Sequence, residues 1–91
     1  MLKIQETELF RTEFANQISL GKDPAPFKEI VGLLEAQLPL PVRNCDNPLV
    51  GTGGSWCCLI SHDWWVIYTC DMKAGTITFE QTGSAAHLFA E

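Results

Sequence analysis

FEQTGSAAHLF, residues 79–89, reads as the end of a strand, a Thr-Gly turn and a short segment carrying a histidine at position 87. It follows two other strand-like runs. The three are Trp56–Ile60, Trp64–Cys70 and Thr76–Gln81, rich in β-branched and aromatic residues. Ser61-His62-Asp63 and Lys73-Ala74-Gly75 separate them, and connections this short predict an antiparallel meander.

Upstream the periodicity changes. From Thr7, the residues Leu9, Phe10, Phe14 and Ile18 recur at helical spacing, with Gly21 as a stop. Asp23 before PAPF is an N-cap for a second helix, whose apolar stripe is Phe27, Ile30, Val31, Leu34 and Leu38. The PLP at 39–41 ends it. RNCDNPLVGTGG (43–54) is a glycine-containing linker, and Leu2-Lys3-Ile4 is a short edge strand. The expected fold is α+β, two N-terminal helices packed on a small antiparallel β-sheet, in one domain over residues 1–91.

Composition narrows the function. The chain has 91 residues, 46% of them hydrophobic, enough for one modest core. No apolar run reaches the roughly 18 residues of a membrane span, and the start lacks the apolar region of a signal peptide. A cytoplasmic protein with no membrane partner is expected. Six Lys+Arg against eleven Asp+Glu give a net charge of −5. That sign opposes phosphate binding, so direct contact with nucleic acid is expected only in association with the ribosome. A protein partner with a basic surface fits better.

Cys45, Cys57, Cys58 and Cys70 include no CxxC pair, and adjacent Cys57 and Cys58 point to opposite faces of a strand. They are read as small buried hydrophobes rather than metal ligands or disulfides. GTGG at 51–54 lacks the Lys-Ser/Thr of a phosphate loop. No metal or cofactor is expected.

Several fragments occur together in one order. LPLP (38–41) closes the second helix, and NPLVG (47–51) lies in the linker. DWWVIY (63–68) forms the penultimate strand, while FEQTGS (79–84) and Leu88-Phe89 follow. Over about residues 27 to 89 the chain resembles the RelE/ParE toxin superfamily, and within it the YafQ-type ribosome-dependent mRNA interferases. The resemblance implies cleavage of mRNA in the ribosomal A site. The ribose 2′-hydroxyl attacks the neighbouring phosphate, assisted by a general base, a general acid and a cation.

Position by position, the resemblance also marks departures. Asn47 stands where the family's histidine precedes Pro-Leu. Trp56 and Leu59 hold the places of an arginine and a histidine, Gln81 that of an arginine, and Ala85 that of a histidine. Asp63, Trp64 and Phe89 are retained. Removing one oxyanion-stabilising donor costs about 10²–10³ in rate. His87 lies two places beyond the family's histidine, and in a helix two residues turn a side chain by about 200°.

Two functions follow. The first is a catalytically disarmed toxin fold that binds a protein. It would act as a phage or mobile-element inhibitor of a nucleic-acid-handling defence complex, of the anti-CRISPR kind, or as a toxin–antitoxin partner. Its surface would be Trp56, Asp63, Trp64, Trp65, Glu80, Gln81 and Phe89. Segregation of Glu6, Glu13, Asp46, Asp63 and Glu80 onto one face would support mimicry of nucleic acid. The second is an active type II toxin, an mRNA endoribonuclease using His62, Asp63 and His87, with Asp63 fixing the tautomer of His62.

Overall fold

The computed structural model describes residues 1–89. Its elements are β1 (Lys3–Glu6), α1 (Glu8–Ser19), α2 (Ala25–Glu35), β2 (Asn47–Pro48), β3 (Ser55–Ser61), β4 (Trp64–Asp71), β5 (Thr76–Gly83) and α3 (Ala85–Phe89). A 3₁₀ turn at Val42–Asn44 precedes β2. The fold is α+β, as the sequence predicts. The five-stranded sheet runs in the order β1-β5-β4-β3-β2.

The sheet is mixed rather than antiparallel. β1 pairs with β5 in parallel, from Lys3 opposite Thr76 to Glu6 opposite Phe79. The two strands are separated by most of the chain, so no tight turn obliges them to run in opposite directions. The Leu2 N–H donates to the Glu35 carbonyl at 3.0 Å, tying the start of β1 to the end of α2.

Each helix begins where the side chains allow. Thr7 caps α1 by accepting from the Phe10 N–H, and its own hydroxyl donates to the Glu80 carbonyl at 2.8 Å. The N-cap of α2 is Pro24 rather than Asp23, with no side-chain cap; Asp23, one place earlier, accepts from the Ala25 N–H at 2.9 Å. α2 stops at Glu35, earlier than the apolar stripe suggests. Gln37 takes a left-handed conformation (φ 57°), and the Leu38 N–H reaches back to the Leu33 carbonyl. Leu38 therefore lies outside the helix and is exposed.

Both long helices cover one face of the sheet. Phe79 of β5 meets Phe10 at a ring-centroid distance of 5.5 Å and Phe27 at 5.1 Å, while Phe14 meets Trp64 at 5.7 Å. Ile30, Ile60, Ile77, Val66 and Cys58 complete the buried centre.

A bulge decides what β5 presents. Tyr68 lies opposite Phe79 and Ile67 opposite Gln81, so Glu80 is the extra residue. Phe79 and Thr82, three apart, are both buried on the helical side. The Trp64 Nε1–H donates to the Thr82 hydroxyl at 2.8 Å, and that hydroxyl donates to the Trp65 carbonyl at 2.7 Å. Thr82→Val keeps the shape but leaves the indole N–H and that carbonyl without this partner. Urea denaturation should show a loss of about 1–3 kcal/mol, the cost of orphaning a buried donor.

Candidate functional site

α3 is five residues long, too short to persist without tertiary support. Its first turn is held from two sides. The Ser84 hydroxyl accepts from the His87 N–H at 3.2 Å, and the Asp63 carboxylate accepts from the Ala85 N–H at 3.0 Å. Asp63 itself sits in the β3–β4 turn with φ 45°, a conformation that aspartate tolerates better than most residues.

Seated this way, α3 turns His87 toward α1. Its Nε2 lies 2.5 Å from Oε2 of Glu13, and Oε1 of Glu13 accepts the Thr82 N–H at 3.1 Å. The Glu13 side chain is only 13% exposed and His87 is 59% exposed, so a sheltered carboxylate orients an accessible imidazole. Gly83 makes room for the ring. A Cβ built on it would fall 2.9 Å from His87 Cδ2. These groups line a cleft of about 760 Å³, together with Asn16, Gln17, Lys22 and Asp63.

The sequence-predicted residues are only partly brought together. Asp63 and His87 share the cleft. His62 is exposed in the turn, and its backbone carbonyl accepts from Lys22 Nζ at 3.0 Å. No hydrogen bond joins Asp63 to His62 among the described residues; the carboxylate accepts from the Ala85 N–H of α3 instead. Glu80 and Gln81 line a different cavity with Ser55 and Ile67, where Thr69 donates to Glu80 at 3.2 Å. Trp64 is fully buried and offers no surface anchor, whereas Trp65 is half-buried with Phe89 edge-on at 5.9 Å. Trp56 borders a separate apolar groove with Leu38 and Met72.

Sequence reading missed the pairing of Glu13 with His87, which are 74 positions apart. The available hint was the place of Glu13 between Phe10 and Phe14. A carboxylate beside core positions needs a partner. Four of the five acidic residues named above are divided among three recesses. Glu13 and Asp63 lie in the cleft, Asp46 borders the groove and Glu80 lines the third cavity.

Among the described residues no group of three or more His, Cys, Asp or Glu is placed to hold a metal ion. No helix among them is long and apolar enough to cross a membrane. Cys57 and Cys58 are buried and Cys45 and Cys70 exposed, so burial accounts for only half of the cysteines. Burial pushes the Cys57 and Cys58 thiols up, which keeps them neutral.

A mixed sheet with two helices on one face, and a short third helix set against the first across a polar cleft, defines a RelE-type toxin fold. A family model described as the bacterial toxin of type II toxin–antitoxin systems, YafQ, matches residues 2–90, and the chain belongs to that family. Among solved structures, a metal-bound toxin from Helicobacter pylori superposes with a TM-score of 0.92 at 26% identity. The match covers 98% of this chain and 100% of that one. YafQ in the Escherichia coli DinJ–YafQ complex gives a TM-score of 0.88 at 28% identity over 99% and 100% of the two chains. YafQ from E. coli strain BL21(DE3) gives 0.86 at 28% identity over the same shares. A search of curated proteins finds no match.

These findings overturn the expectation of a disarmed, anti-CRISPR-like inhibitor. The relatives are toxins of toxin–antitoxin systems. That expectation rested on Asn47, Trp56, Leu59, Gln81 and Ala85 and on the net charge, and could not register an imidazole and a carboxylate meeting elsewhere.

One titration is testable. The Tyr68 hydroxyl donates to Asp46 at 2.5 Å, and burial, then that bond, hold the phenol neutral well above the usual tyrosine range. The folded chain keeps this proton where the unfolded chain, with a tyrosine pKa of about 10, releases it. The contribution is full below that pH and is lost as pH rises past it. The urea midpoint should fall between about pH 9 and 11, and Tyr68→Phe should fall less, with a remainder left by Cys57 and Cys58.

Proposed function

We propose that this chain is the toxin of a type II toxin–antitoxin pair, a one-domain cytoplasmic endoribonuclease that cuts mRNA on the ribosome. The observation that carries this reading is the match of residues 2–90 to the YafQ toxins. E. coli YafQ is found in complex with DinJ, and here too the partner is a protein antitoxin. The charge of −5 favours a basic contact surface on that antitoxin. The same charge makes the ribosome, rather than free RNA, the source of affinity for the substrate. Trp56, Trp65 and Phe89 are the aromatic contacts available to a partner, with Glu80 and Gln81 on β5.

His87 is the general base. With its Nε2–H donated to Glu13, Nδ1 has no hydrogen-bond partner among the described residues and can take a proton. It accepts the ribose 2′-hydroxyl proton as the 2′-oxygen bonds to phosphorus. The bond from phosphorus to the 5′-oxygen breaks, and that oxygen leaves with a proton from water. The products are a 2′,3′-cyclic phosphate and a 5′-hydroxyl, and the imidazolium returns its proton to the hydroxide left behind. Lys22 is the cation in the cleft, and Asp63 keeps α3 in place.

Inducible expression in bacteria tests the reading. The wild-type chain should arrest growth and cleave a reporter mRNA, with rescue by a co-expressed antitoxin. His87→Ala should lower cleavage by about 10²–10⁴-fold, the usual worth of a positioned acid–base group. His62→Ala should cleave normally. Unimpaired growth and intact mRNA at high expression would refute the proposal.

A further inference from the structure

We infer that Glu13 of α1 is a positioning residue for the reaction, fixing the tautomer and direction of His87 in a seat that Gly83 leaves open. The inference rests on the endoribonuclease reading above and assigns a residue that the family's motif positions do not include.

Three observations converge. The first is that Glu13 is itself immobilised. It is largely sheltered from solvent, and its Oε1 accepts the Thr82 N–H, so Oε2 is presented in a set direction. The second is that this oxygen meets His87 Nε2 at 2.5 Å. A carboxylate there can only accept a hydrogen bond, so the neutral imidazole carries its hydrogen on Nε2 and offers Nδ1 as the base. The third lies in the sheet. Gly83 ends β5 without a positive φ, so its backbone does not demand glycine. Its nearest non-neighbouring atoms are Cδ2, Cγ and Cβ of His87, and a side chain at 83 would displace the ring.

The arrangement goes beyond a simple strut between helices. Ser84 and Asp63 already hold the start of α3, and Phe89 packs against Trp65. What Glu13 and Gly83 add is control over one ring. An imidazole that keeps its general location but loses its tautomer loses its base, much as a small misplacement of a catalytic group costs about 10²-fold.

Two substitutions separate this role from a structural one. Glu13→Gln retains an oxygen for the Thr82 N–H but turns an amide NH₂ toward Nε2, which moves the ring hydrogen to Nδ1. Gly83→Ala leaves the backbone unstrained and pushes the ring off Glu13. Single-turnover cleavage of mRNA on programmed ribosomes should show kcat lowered about 10²-fold in each variant, with KM unchanged. Thermal unfolding should show both variants folded. ¹⁵N shifts of the His87 ring should report the Nε2–H tautomer in the wild type and the Nδ1–H tautomer in Glu13→Gln.

Wild-type cleavage rates in Glu13→Gln, alongside loss of cleavage in His87→Ala, would overturn this inference and leave the endoribonuclease standing. An unchanged ring tautomer in Glu13→Gln would overturn it as well. A wild-type protein that cleaves nothing on the ribosome would end both.

Discussion

Thr82 ties together four elements of this structure. Its hydroxyl accepts from the Trp64 indole and donates to the Trp65 carbonyl, joining β5 to the start of β4. Its N–H goes to Glu13 on α1, and Glu13 in turn holds His87 on α3. All of this depends on one extra residue in β5. Without the bulge at Glu80, strict alternation would turn Thr82 away from the helical side that Phe79 faces, and neither Trp64 nor Glu13 could reach it.

The same bulge separates two sets of polar groups. Glu80 and Gln81 remain together in one cavity, while Thr82 directs the cleft where Glu13, Asp63 and His87 meet. The positions where the resemblance places the family's histidines and arginines here hold Asn47, Trp56, Leu59, Gln81 and Ala85. Asn47 is occupied locally, donating to the Cys45 carbonyl at 2.8 Å and facing the Cys57 thiol. The cleft brings together Glu13 of the first helix and His87 of the last.

Charge, added to the replaced site residues, suggested the wrong class of protein. A net −5 reads as a surface for basic partners, and it still fits an antitoxin contact. Mimicry of nucleic acid requires more, namely that the charges lie side by side. Here Asp46 is engaged by Tyr68, Glu80 by Thr69 and Glu13 by His87, each in its own recess. A summed charge contains no information about that division.

The sequence by itself determined the two long helices, the three-stranded meander, the edge strand and the family, but not the short α3. All follow from local periodicity, turn residues and short fragments in order. The alternation of Trp64 and Trp65 was legible in the same way, and one is buried while the other meets Phe89. The parallel pairing of β1 with β5, the early end of α2 and the bulge were decided by tertiary structure. So was the cleft, because Glu13 and His87 stand 74 positions apart and no spacing rule connects them. Their meeting depends on how α1 packs over β5 and on where Asp63 holds α3. Both are consequences of burying Phe10, Phe14, Phe79 and Trp64 in one core, and no single segment of the chain contains that constraint.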